Sequence, residues 1–102
     1  MRIISKKALI QFWEKHPDTK PSLESWFEVV KEVEWENFAE LRRTYSSADW
    51  VTVGTGNKVI VFNVGGNKVR LIAAVHFNTK TVYVLRVLTH SEYDRQEWKR
   101  AL

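Results

Sequence analysis

The stretch Lys58-Val59-Ile60-Val61-Phe62-Asn63-Val64-Gly65-Gly66-Asn67-Lys68-Val69-Arg70-Leu71-Ile72-Ala73-Ala74-Val75-His76-Phe77 decides the fold. Its two halves, Lys58 to Val64 and Val69 to Phe77, are β-branched and apolar, and each predicts a strand. Gly65-Gly66-Asn67-Lys68 between them predicts a tight turn, because glycine takes positive φ without a steric clash. The next segment repeats the pattern. Asn78-Thr79-Lys80 predicts a second tight connection, and Thr81 to Thr89 a third strand; a three-residue loop would put Arg70 and Arg86 on one face, a two-residue loop on opposite faces. Strands joined by such short loops pair antiparallel.

Upstream the period changes from two to that of a helix. Ser5 suits a helix cap, and Ala8, Leu9, Phe12 and Trp13 recur at helical spacing until Pro17 stops them. Pro21 suits the first turn of a second helix with an apolar stripe of Leu23, Trp26, Phe27, Val30 and Val33. Asn37 followed by Glu40 has the form of a capping box for a third, short helix. Ser46 to Asp49 reads as a loop. Trp50 to Val53 is either a further strand or an extended approach to Gly54-Thr55-Gly56-Asn57. Met1 to Ile4 fits an edge strand. Thr89 or Ser91 is positioned to cap a last helix running through Trp98. Helices, then a meander, then a helix give an α+β class in one domain spanning residues 1–102.

The chain has 102 residues, 44% of them hydrophobic, with five Trp and no Cys. That composition supports one packed core and argues against disorder. Without Cys there is no disulfide framework, thiol nucleophile or thiolate metal site. No apolar run approaches membrane-spanning length, and the opening residues lack a signal-peptide core, so a cytoplasmic protein is expected. The net charge of +4 is unevenly spread. From Lys58 onward eight bases face three acids, whereas the first 57 residues hold eight bases and nine acids. A basic half suits a polyanionic partner.

Two segments resemble the signature of HigB-type toxins of the RelE/ParE superfamily: Val61 to Leu71, with Asn-x-Gly-Gly-Asn-Lys-x-Arg, and Thr89-His90-Ser91-Glu92-Tyr93-Asp94. The opening Arg2-Ile3-Ile4-Ser5-Lys6-Lys7-Ala8-Leu9 is similar too, so the likeness runs over nearly the whole chain. Trp50 to Asn57 is less diagnostic, and Val69 stands where relatives often carry an aromatic residue. The resemblance implies a RelE-like fold, with N-terminal helices packed on a curved antiparallel sheet and a C-terminal helix. It also implies a ribosome-dependent, metal-independent endoribonuclease that cleaves translated mRNA and is neutralised by a HigA-like helix-turn-helix antitoxin. No cofactor is expected. The alternative is a non-catalytic toxin of the same fold that acts by binding another target, such as DNA gyrase.

Metal-free RNA cleavage needs a base for the 2′-OH, positive charge for the phosphate oxygens and an acid for the leaving oxygen. Arg70 is the first candidate for the phosphate, since a guanidinium is always charged and grips two oxygens. Arg86, inside an apolar strand, joins it if the loop at residues 78–80 sets the register that pairs Arg70 with Leu88. His90 is the candidate acid or base, because imidazole titrates near neutrality. Tyr93 suits stacking on a base or donating to the phosphate, and Asp94 suits orienting His90 or accepting a proton. Acid and base roles stay open among these three. Lys68, Lys58 and Asn63 are candidate RNA contacts. His16 and His76 read as structural, and no His–carboxylate spacing suggests a metal site. Gly65-Gly66 lacks the Gly-Lys-Ser/Thr ending of a P-loop, and no RRM pattern is present. Trp and Phe of the first two helices read as core, while Trp50 and Trp98 are candidates for an antitoxin interface.

Overall fold

Helix formation follows the apolar periodicity and stops where proline forbids it. In the computed structural model, which describes residues 1–66 and 68–102, strand β1 (Arg2–Ile4) leads into helix α1 (Lys6–Lys15). Asn67, read above as part of the turn and of the motif, lies outside the described residues. Pro17 opens a single 3-10 turn, Pro17–Thr19, and helix α2 (Lys20–Glu32) carries Pro21 in its first turn, where a missing N–H is harmless. Helix α3 (Phe38–Thr44) is capped by Asn37, whose side chain accepts from the Glu40 N–H at 2.9 Å. The Glu40 carboxylate accepts from the N–H of Glu36 at 2.8 Å, one residue before the position a capping box would use.

Four strands follow: β2 (Asp49–Thr52), β3 (Lys58–Val64), β4 (Val69–His76) and β5 (Thr81–Thr89). With β1 they form one five-stranded sheet in the order β1-β5-β4-β3-β2. β2 to β5 are antiparallel neighbours, but β1 runs parallel to β5, so the sheet is mixed rather than wholly antiparallel. The reason is topological. Most of the chain lies between β1 and β5, and no hairpin dictates their relative direction. Asp49, expected in a loop, is the first residue of β2 and pairs with Val61.

Each face of the sheet carries its own apolar cluster. The larger one joins Leu9 and Phe12 of α1, Leu23, Trp26 and Val30 of α2, Leu41 of α3, and Ile60, Phe62, Val69 and Leu71 of the sheet. Trp26 and Trp35 both pack against Phe62, with ring centroids 5.4 and 6.3 Å apart. The smaller cluster, on the other face, joins Val53, Val59, Val61 and Ile72 to Trp98.

The β4–β5 connection differs from expectation in an informative way. His76 pairs with Thr81, so the loop is Phe77 to Lys80, four residues rather than three. A register shift between Ile72 and Ala73 then inserts one extra residue in β5, Leu85. This β-bulge restores the pairing of Arg70 with Leu88 and of Ile72 with Arg86. Without it, Arg86 would face the helices, because a one-residue slip flips every later side chain.

The C-terminal segment is not one helix but two short ones, α4 (His90–Asp94) and α5 (Trp98–Ala101). Gln96 at φ +64° breaks the run between them. Thr89 and Glu92 form a reciprocal capping box at the start of α4. Hydrogen bonds from Thr89, chiefly from its backbone N–H, hold the Glu92 carboxyl below the usual carboxylate range. The carboxylate half of the box is thus in place at neutral pH and weakens as acid protonates Glu92, while Thr89 Oγ1 still accepts from the Glu92 N–H. Removing the hydroxyl tests how much α4 owes to it. Thr89→Ala is expected to cost about 1 kcal/mol, lowering Tm by roughly 4–8 °C for a domain of this size. A circular-dichroism melt checks this.

Candidate active site

The bulge and the cap act on the same place. β5 ends at Thr89, directly opposite Val69, and α4 turns back over Arg70. Arg70 is only 8% exposed although it is charged. Its Nη2 lies 3.3 Å from His90 Nδ1, and its guanidinium carbon lies 5.6 Å from the centre of the Tyr93 ring, in cation–π range. A guanidinium has only donors, so His90 Nδ1 is the acceptor. The ring proton then sits on Nε2, which faces Asp94 Oδ2 at 3.1 Å. Helical spacing makes this last contact natural, since residues four apart share a face.

Tyr93 is held from beneath by Trp98. The two rings stack with centroids 5.4 Å apart, and Trp98 Nε1 donates to the Tyr93 carbonyl at 3.1 Å. Trp98 is therefore buried in the support of the site and is not an exposed interface residue. Burial raises the Tyr93 hydroxyl above the ordinary phenol value, the Asp49 and Asp94 carboxylates raise it further, and Arg70 pulls the other way. The phenol thus stays protonated across the physiological range.

The register places the remaining candidates. Asn63 pairs with Arg70 across β3 and β4 and is half-buried. Arg86 is the diagonal neighbour of Arg70, because it lies two residues before Leu88 on β5. Such neighbours stand about 7–8 Å apart. Arg86 is exposed, and its Nη1 donates to the Leu85 carbonyl at 2.7 Å. Lys68 lies at the same end of the sheet, in the β3–β4 turn, with its amine 3.6 Å from Asp18. Lys58 does not join the group. It starts β3 at the other end of the sheet, and its amine sits 4.9 Å above the Trp50 ring.

Three residues carry more than their sequence positions suggested. Asp49 precedes a β-branched run and pairs with Val61, which pairs with Ile72, which pairs with Arg86. Alternation along β2 thus turns its carboxylate to the Arg70 face. Trp98, five residues after Tyr93, is the stacking support. His76, expected to be structural, is exposed and packs against Tyr83 with centroids 5.2 Å apart. His16 is half-buried against Phe12, at 4.5 Å. Among the described residues no cluster of three or more His, Cys, Asp or Glu is placed to hold a metal ion, and no helix is long and apolar enough to cross a membrane.

The arrangement combines a charged donor for oxyanions, an imidazole oriented by a carboxylate and a protonated phenol. Known proteins are similar to this chain. The family model of HigB_toxin, described as a RelE-like toxic component of a toxin-antitoxin system, matches residues 19–96. The chain is 34% identical over 95 residues to mRNA interferase HigB of Escherichia coli, covering 93% of this chain and 90% of that relative. It is also 34% identical over 94 residues to mRNA interferase HigB of Shigella flexneri, covering 92% and 88%. The chain belongs to the HigB family of RelE-like toxins.

Proposed function

We propose that the protein is an mRNA endoribonuclease, the toxin of a toxin–antitoxin pair, cutting by attack of the ribose 2′-OH on the adjacent phosphate. The observation that carries this reading is the Arg70–His90–Asp94 chain of contacts, 3.3 and 3.1 Å long, on the sheet face that also bears Arg86. The same contact favours catalysis over the binding-only alternative, which has no use for an imidazole oriented in this way.

The low exposure of Arg70 suggests how the site engages. An incoming phosphate oxygen replaces His90 Nδ1 as the acceptor at Arg70 Nη2. The exchange gives the phosphate its charge-assisted hydrogen bond and frees the Nδ1 lone pair. His90 then takes the proton of the 2′-OH while the exposed Asp94 carboxylate stabilises the imidazolium through Nε2, in the orienting role a carboxylate has in a hydrolase triad. The 2′-oxygen bonds to phosphorus, the bond to the 5′-oxygen breaks, and Tyr93 gives that oxygen its proton. The products are a 2′,3′-cyclic phosphate and a free 5′-OH. Arg86 shares the charge of the pentavalent phosphorus, and Asn63 and Lys68 bind the flanking backbone. Lys58 belongs to a more distant part of the strand. The reaction as written uses guanidinium charge and needs neither metal nor cofactor.

Free RNA rarely holds the in-line geometry this attack requires. A ribosome that presents a codon in extended form would supply it, since orientation alone removes much of such a barrier. The family resemblance implies a ribosome-dependent cytoplasmic enzyme silenced by a HigA-like antitoxin, and that is the form of the activity proposed.

With purified ribosomes and a translated message, primer extension is expected to find cuts within translated codons. Arg70→Ala and His90→Ala should each slow cutting by about 10²–10³-fold while the melting curve stays cooperative. Full activity in both variants would show that the site lies elsewhere. The Tyr93 assignment has its own check. A spectrophotometric titration, taken as the difference from Tyr93→Phe, should place its hydroxyl above the usual phenol range, and Asp49→Asn should lower it. The sign follows because removing a nearby negative charge makes phenolate easier to form.

A further inference from the structure

Following the Arg70 face away from His90 leads to a second set of exposed groups. Along β4 the face runs Arg70, Ile72, Ala74, His76, by simple alternation. Ala74 pairs with Tyr83, and Tyr83 pairs in turn with Ile4 of β1. Tyr83 is 37% exposed and meets His76 edge to face, with ring planes 75° apart. A T-shaped pair uses at most one ring face, which leaves flat aromatic surface open to solvent. Beside the pair lies a cleft of about 530 Å³, walled by Val59, Ala74, Leu85 and Leu102, with His76 and Asn57 also lining it. Apolar walls with a few polar groups at the rim are the usual form of a small-molecule or base-binding pocket.

Charge decides what such a surface takes. No Asp or Glu occurs between Asp49 and Glu92, while that stretch holds Lys58, Lys68, Arg70, Lys80 and Arg86. Arg86 stands on the same face between the aromatic pair and the Arg70 site, and Arg2 is exposed on β1, two residues before Ile4. Aromatic rings set along a strand face with Arg86 and Arg2 beside them match single-stranded nucleic acid, whose bases stack while its phosphates pair with Lys and Arg. From Arg70 to Ala74 is roughly 13 Å along the strand, so one RNA strand can engage both places.

We propose that the Tyr83–His76 pair and the adjoining cleft hold a base of the RNA strand that flanks the scissile phosphate. The proposal rests on the reading that this chain cuts RNA, and it assigns the flanking-base site that selects how the strand lies. Tyr83 offers the stacking surface, the cleft takes the edge of the base, and Arg86 holds the phosphate between this site and the cut.

The test uses the non-cleaving His90→Ala protein and a fluorescein-labelled, mixed-sequence single-stranded oligoribonucleotide, read by fluorescence anisotropy. Adding Tyr83→Ala is expected to weaken binding about tenfold, which is about 1.4 kcal/mol, and Tyr83→Phe to keep the parental affinity. Ala74→Leu, which fills the cleft, should weaken binding like Tyr83→Ala. Ultraviolet crosslinking of 4-thiouridine RNA to the His90→Ala protein gives a reading that needs no Tyr83 or Ala74 variant, with adducts expected at Tyr83 or His76. Absence of RNA binding by the His90→Ala protein, unchanged affinity in both the Tyr83→Ala and Ala74→Leu variants, or adducts confined to other strands would overturn the proposal. So would a loss confined to antitoxin binding, which would make the face a protein interface. Cleavage separates the two ideas. Cutting that needs Arg70 and His90 but ignores Tyr83 removes this site alone. Tyr83-dependent RNA binding by a chain that cuts no RNA removes the catalytic reading alone.

Discussion

A guanidinium held almost entirely out of water constrains this molecule more than any other group. Arg70 is 8% exposed, and a charge so placed is strongly destabilising without polar company. Part of that company comes from one short helix. His90 meets the guanidinium at Nη2, and the Tyr93 ring lies beside it. α4 has only five residues and would not hold together alone, so its reciprocal cap at Thr89 and Glu92 and the Trp98 stack beneath Tyr93 are what keep those partners in place. In the proposed reaction, stability and chemistry share these contacts. A group that replaces His90 at Arg70 must offer an acceptor at least as good, and a phosphate oxygen does.

The sheet contributes register. Arg70 and Arg86 share a face only because the extra residue in the β4–β5 loop is cancelled by the bulge at Leu85. Bulges are common beside functional sites, where they re-aim a side chain, and here the side chain is Arg86. The two apolar clusters divide the labour. The helices bury one face around Phe62, while on the other face Trp98 packs with Val61 and Ile72 and leaves Arg86 and Tyr83 of β5 open. An acid-free basic strand on the open side gives the face its polarity.

Much of this was legible in the residues. Gly65-Gly66 between two apolar runs fixed the β3–β4 hairpin, and the stripe Leu23, Trp26, Val30 fixed α2, because both patterns follow from local geometry alone. The grouping of Arg70, His90, Tyr93 and Asp94 followed from the family resemblance, and in the structure His90 lies 3.3 Å from Arg70 and 3.1 Å from Asp94. Other features depend on tertiary choices that no local pattern encodes. The parallel direction of β1 is one, since no turn constrains it. The bulge is another, because a loop of three without a bulge and a loop of four with one leave the same pair, Arg70 and Leu88, opposed. The break at Gln96 hid the burial of Trp98, which a continuous helix would have carried away from the sheet. Asp49 looked like a loop residue because its strand is only four residues long.

The central claim is that Arg70 and His90 act as one unit around a single phosphate, and a double-mutant cycle measures that directly. Cleavage rates are compared for the parent, Arg70→Ala, His90→Ala and the double variant on ribosome-bound message. Groups that work as a unit are strongly non-additive, so the double variant should be little slower than the slower single one. Losses that simply multiply would mean the two side chains act independently, and would contradict the account.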